Sequence, residues 1–171
     1  SLLRVRYGLS VDYRKVSIVQ LPRAARAYTR PKLMDASFLN QVNEVSVTLL
    51  GAAGESRCQE TVSDGDGNSV ALAAAQATLL AASHATGIPI ELELVDAHVF
   101  HSGHQDVMFV MISAKGQGAA EELTGTCIIG ACLSTAAAKA TLDAINRRLE
   151  LWSAYADGLP RNGQGAHLKG V

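Results

Sequence analysis

Two stretches of this chain nearly repeat one another. Ala73-Ala74-Ala75-Gln76-Ala77-Thr78-Leu79 and Ala136-Ala137-Ala138-Lys139-Ala140-Thr141-Leu142 agree at six of seven positions and stand 63 residues apart. Alanine-rich helices resemble one another by chance, so the letters alone would prove little. The setting makes the match informative, because each copy follows the same run of short alternating segments. A duplicated chain folds the same way twice, and a half of about 60 residues leaves much of its apolar face bare when alone. The two halves therefore need each other to complete a core.

The elements follow from periodicity. Residues 33–39 supply a first strand, and Glu44-Val45-Ser46-Val47-Thr48-Leu49 alternates as a half-buried strand. Gly51-Ala52-Ala53-Gly54 predicts a turn, from which residues 55–62 return antiparallel. Beyond Asp64-Gly65-Asp66-Gly67-Asn68-Ser69 the apolar period becomes helical over residues 70–85, until Gly87 and Pro89 end it. The second half predicts strands over residues 90–100 and 105–115, a turn at Gly116-Gln117-Gly118, a strand over 121–129 and a helix over 133–155. The expected fold class is α+β: two tandem βββα units in two layers, antiparallel strands with helices on one face, the two sheets fused. The first unit takes residues 33–87 and the second 88–157.

Charge divides the chain unevenly. Residues 1–32 hold eight of the 15 basic groups (Arg4, Arg6, Arg14, Lys15, Arg23, Arg26, Arg30, Lys32) against one acid, Asp12, leaving seven basic and 15 acidic groups in the remainder. This arm, with short strands expected over residues 3–7 and 15–21, is expected to pack on the acidic body or on a second copy of it. Its tyrosines, Tyr7, Tyr13 and Tyr28, are too few to make an RNA-stacking platform. The overall charge of -1 gives no general pull toward nucleic acid or an anionic membrane. No run approaches the roughly 18 apolar residues of a membrane span, and the first residues lack a leader-like apolar stretch. Three cysteines, Cys58, Cys127 and Cys132, argue against a disulfide framework or a Cys-rich zinc site and for a reducing, cytoplasmic compartment. Abundant alanine with only 5% aromatic residues predicts elements packed closely through small side chains. Residues 158–171, rich in glycine and polar groups, are expected to form a mobile tail.

The order of several stretches resembles a known family. Ile90-Glu91-Leu92-Glu93-Leu94-Val95-Asp96-Ala97-His98-Val99, then Gly103-His104-Gln105-Asp106, Leu123-Thr124-Gly125-Thr126, Ala138-Lys139-Ala140 and Ala144-Ile145-Asn146 are similar to the C-terminal regulatory domain of 2-isopropylmalate synthase. Gly65-Asp66-Gly67 stands at the place of that family's Gly-Asn-Gly loop, and the likeness spans about residues 33–151. The resemblance implies a homodimer of paired βββα units, in amino-acid biosynthesis, that binds leucine near the loops before the helices; related citramalate synthases use the domain for isoleucine. The implied ligand-binding positions are Gly65, Asp66, Gly67 and Asn68 before one helix and Ile129, Gly130, Ala131 and Cys132 before the other. Glycines let a ligand approach the backbone N–H groups of a helix start, which hold a carboxylate, and small apolar residues accept an aliphatic side chain. Two family acids are replaced, by Val70 and by Cys132, which weakens the case for an amino-acid ligand in particular. These 171 residues cannot contain the family's catalytic barrel of roughly 250 residues, so no acyl-CoA condensation is expected within them.

Other chemistry has candidates as well. His98, His101 and His104 fall within seven residues, and with Asp96 or Asp106 they could form an acid–base pair, but strand alternation separates them unless the chain bends at Ser102-Gly103. Cys132 opens a predicted helix, where the dipole lowers a thiol pKa. The leading expectation is a stand-alone, homodimeric, regulatory-type domain for a small aliphatic or carboxylate ligand, with no cofactor and no metal, acting on a separate catalytic subunit. The rival, from a different class, is a small biosynthetic enzyme of cyclase, isomerase or hydrolase type that uses His98, His101, His104 and Cys132. A third is a purely structural dimerisation module.

Overall fold

The computed structural model describes residues 30–64, 66–87, 90–115 and 120–156. The two strands expected in the arm, the turn at residues 116–118 and the tail fall outside these. Eight elements follow in order: β1 (Lys32–Leu39), β2 (Glu44–Gly51), β3 (Gly54–Thr61), α1 (Gly67–Thr86), β4 (Glu91–Ser102), β5 (Gln105–Lys115), β6 (Glu121–Ile128) and α2 (Leu133–Ala156). The duplicated α+β order, two βββα units with antiparallel strands and a helix after each set, is what the periodicity predicts. Helix α1 begins three residues earlier than the apolar pattern indicates. Asp66 supplies the cap, its Oδ1 accepting a hydrogen bond from the Ser69 N–H at 2.7 Å.

The expectation of fused sheets is corrected. The strands form two separate three-stranded antiparallel sheets, β1-β2-β3 and β4-β5-β6. The helices join the halves instead. Helix α1 lies on β2 and β3 and reaches over β4; α2 lies on β5 and β6 and reaches over β1; and the helices pack on each other. Strands β1 and β4, the ones reached by the opposite helix, each carry an irregularity at equivalent points, between Leu33 and Asp35 and between Leu94 and Asp96. An extra residue bends such a strand and increases its twist. The next equivalent residues, Ala36 and Ala97, are both buried. Ser134 and Thr135, in the first turn of α2, donate hydroxyl hydrogen bonds to the Ala36 carbonyl at 3.1 and 3.2 Å, a direct tie across the halves.

Small residues make the close approach possible. Val45, Val47 and Leu49 of β2 and Met108, Val110 and Ile112 of β5 are fully buried beneath the helices, with Ala74, Ala75, Ala77, Ala137, Ala138 and Ala140. Helix α1 is buried on most sides because its own sheet, β4 and α2 all cover it. At Gly125 of β6 the fit reaches its limit, since a Cβ there would lie 2.0 Å from the Ala140 carbonyl oxygen.

The outer faces of the two sheets differ although their registers correspond. Across the second sheet the outward rows read Phe100-Val107-Ile128 and His98-Phe109-Thr126. The matching rows of the first read Leu39-Glu44-Thr61 and Ser37-Ser46-Gln59. At the β4–β5 hairpin end the outer face of the second sheet is apolar and aromatic, where the first sheet is mainly polar; farther along, the second sheet's outward rows turn polar, as in Glu93-Ser113-Glu122. Among the described residues no helix is long and apolar enough to cross a membrane.

Candidate functional site

The two loops singled out by sequence lead into the two helix starts, and the fold brings those starts together. A Cβ on Gly67, the first residue of α1, would lie 3.5 Å from Cδ2 of Leu133, the first residue of α2. Asp66, just before Gly67, is in extended conformation (φ -76°, ψ 164°) and is exposed. Hydrogen bonds from the hydroxyl and backbone N–H of Ser69 hold its carboxyl below the usual 3.8. Asn68 is exposed, while Gly65 falls outside the described residues.

Cys132 caps α2. Its carbonyl accepts from the Ala136 N–H at 3.2 Å, and its Sγ lies 2.9 Å from Ser134 Oγ. Partial burial pushes this thiol up, but hydrogen bonds from the side chains and backbone N–H groups of Ser134 and Thr135 outweigh it, so the pKa lies below 9.0. Neither helix has an acid within its first turn. Gly130 has open space where a side chain would stand, Ala131 is exposed, and Ile129 donates its N–H to the Asp106 carbonyl at 2.8 Å. That last bond anchors the loop before α2 to the tip of the β4–β5 hairpin. The site thus offers the start of α2, where the Ser134 and Thr135 N–H groups turn toward the Cys132 thiol, an exposed carboxylate at the neighbouring start, and apolar surface from Ile129 and Leu133.

The histidines do not converge. The chain reverses at Gly103 (φ 60°), yet His98 and His101 enter separate carboxylate pairs. His98 Nδ1 lies 2.9 Å from Asp96 Oδ2 on the outer face of the sheet, its ring 4.4 Å from Phe100 and 5.2 Å from Phe109, centroid to centroid. His101 Nδ1 lies 2.6 Å from Asp106 Oδ1, across the hairpin, with its side chain 80% exposed. His104 is exposed in the turn. Among the described residues no three His, Cys, Asp or Glu side chains gather as a metal cluster.

One pairing escaped sequence reasoning. Cys58 Sγ of β3 lies 3.7 Å from His84 Nδ1 in the last turn of α1. Twenty-six positions separate them, and neither periodicity nor spacing links a strand residue to the far end of the following helix. The other thiols have different neighbours: Cys127 donates to the Ile128 carbonyl at 3.4 Å. In comparison with known proteins, no family model matches the sequence and no curated protein matches it significantly.

Proposed function

We propose that this chain is a small-ligand-binding domain of the regulatory type found in 2-isopropylmalate and citramalate synthases, with the ligand seated where α1 and α2 begin. The observation that supports the reading is that two helix starts from different repeats adjoin, a Cβ on Gly67 falling 3.5 Å from Leu133 Cδ2. A ligand carboxylate lies at the dipole-positive start of α2, beside the N–H groups that the Cys132 thiol engages, where Gly130 leaves room and the helix's first turn holds no acid to repel it. An aliphatic chain meets Ile129 and Leu133. Asp66 offers an exposed carboxylate for an ammonium group, in place of the acids absent at Val70 and Cys132, so the favoured class is a branched-chain amino acid.

Titration calorimetry with leucine, isoleucine, valine and the corresponding 2-oxo acids tests this. Heat is expected with at least one amino acid, and Asp66→Asn weakens it about tenfold while leaving any 2-oxo acid binding unchanged. An absence of heat with all of these compounds sinks the reading. The same proposal includes a homodimer formed through the apolar outer face of the second sheet, where Phe100 is 51% and Ile128 59% exposed. Sedimentation of a Phe100→Glu, Ile128→Lys variant should then give monomers. The regulated enzyme, on the same or another chain, is the partner that reads out occupancy.

One observation favours a second reading, a small enzyme. The His101–Asp106 pair adjoins the loop before α2 through the Ile129 bond, so an imidazole oriented by a carboxylate stands near the same site. A metabolite screen comparing the parent with His101→Ala and His104→Ala decides it, since unchanged turnover rejects a catalytic part for either histidine.

A further inference from the structure

We infer that residues 3–7 of the basic arm, which lie outside the described residues, dock in extended form on the edge of β3, with their apolar side chains facing α1. The two repeats treat equivalent edges differently. In the second, Asp143 of α2 reaches over β6, and its Oδ2 accepts the Thr126 N–H at 3.3 Å, which blunts that edge. In the first, Leu80 stands 63 residues before Asp143, and Gln59 holds the place of Thr126 in the matching row. A leucine accepts no hydrogen bond, so among the described residues the β3 edge has no counterpart of the Asp143 cap. The Val62 N–H turns inward to the Asn43 carbonyl at 2.8 Å, and alternation then turns the N–H groups of Arg57, Gln59 and Thr61 to the open side. The helix above each edge differs in the same way. The outward row of α1 is Leu72, Gln76, Leu80 and His84, with Leu72 36% and Leu80 38% exposed. The equivalent row of α2 is Thr135, Lys139, Asp143 and Arg147, partly paired within itself by Asp143 and Arg147 at 3.6 Å. Cys58 Sγ, 3.7 Å from His84 Nδ1, fixes one end of the α1 row beside β3. An open strand edge below a leucine row makes a groove for an extended segment: main-chain hydrogen bonds hold it, and alternate side chains meet the helix.

Pattern, charge and reach select the occupant. Leu3-Arg4-Val5-Arg6-Tyr7 alternates, so an extended backbone puts Leu3, Val5 and Tyr7 on one face and Arg4 and Arg6 on the other. With the apolar set toward Leu72 and Leu80, the arginines stand on the outer face. There β3 presents Glu55, while Arg57 is already turned away to the Ser46 hydroxyl at 2.9 Å. The arm's excess of basic groups also meets a remainder that holds 15 acidic groups against seven basic ones. The chain enters the sheet at Lys32 on β1, two strand spacings or about 10 Å from β3. Residues 8–31 can span roughly 80 Å, so the segment reaches the groove of its own chain and binds with the advantage of an intramolecular partner. Neither the groove nor its occupant depends on the ligand proposed above.

Amide exchange and methyl NOE measurements on the isotope-labelled whole chain test this. The Gln59 amide of the parent should exchange at least about tenfold more slowly than that of a Leu3→Asp, Val5→Asp variant. The Cys58 amide, which faces β2, should keep its rate in both. Protection of Gln59 should be unchanged on dilution, and a methyl NOE should join Leu3 or Val5 to Leu72 or Leu80 in the parent. Equal Gln59 exchange in parent and variant, or the lack of any such NOE, overturns the proposal. Protection that fades on dilution assigns the groove to another copy of the chain and overturns it as well.

Discussion

Among the described glycines, Gly125 is the one whose replacement by alanine should cost this fold most. On the native backbone the added Cβ would stand 2.0 Å from the Ala140 carbonyl oxygen, 2.5 Å from the Ala144 nitrogen and 3.0 Å from the Ala144 Cβ. The first two are main-chain atoms of α2, so no rotamer change relieves them. Helix and strand must part by about 1 Å before the closest contact reaches the 3.0 Å that real Cβ atoms respect. That shift loosens the packing of Ala137, Ala140, Ala144 and Ile145, all buried. Overpacking costs about 1–3 kcal/mol, and a backbone-to-backbone clash belongs at the upper end of that range. The opposing gain from a stiffer unfolded chain is at most about 1 kcal/mol. The net loss, about 2 kcal/mol, lowers the melting temperature by roughly 4–8 °C in a domain of this size. Scanning calorimetry measures it, with Gly130→Ala as the control because a side chain there meets nothing within 4 Å. A Gly125→Ala protein melting within about 1 °C of the parent would refute the claimed contact.

Three further outcomes follow from the same packing. The Ser134→Ala, Thr135→Ala double variant removes both hydroxyl donors from the Ala36 carbonyl and should lose about 2 kcal/mol in urea unfolding. Asp66→Ala should destabilise at neutral pH and cease to differ from the parent in acid. Its carboxyl is held below 3.8 in the folded chain, so the cap contributes above that pH and is lost as pH falls through the lowered value. Cys132, with its thiol shifted below 9.0, should be alkylated ahead of Cys58 and Cys127 near neutral pH, and removing the Thr135 hydroxyl should slow it.

Much of the fold is legible in the residues because its signals are local. Alternation over Glu44 to Leu49 marks β2, the apolar helical period marks α1 and α2, and Gly87 ends α1 with a left-handed φ of 65°. The start of α1 is less legible, since capping by Asp66 extends the helix into residues that carry no apolar period. The candidate loops are readable for the same local reason, being the segments just ahead of the helices. Their meeting at Gly67 and Leu133 is not, because it depends on how two helices cross. His98 beside Asp96 follows from the two-residue repeat of a strand, whereas Cys58 beside His84 needs the angle of α1 over its sheet.

The order of residues is enough to establish a doubled βββα chain with small side chains where layers touch. Hydrophobic periodicity encodes which side of each element is covered, and it acts between close neighbours along the chain. It does not encode what does the covering. That the halves are sewn together by helices crossing to β1 and β4, and not by continuous hydrogen bonding between sheets, emerges from three-dimensional packing: bulged edge strands twist away, and alanine faces let each helix settle onto two units at once.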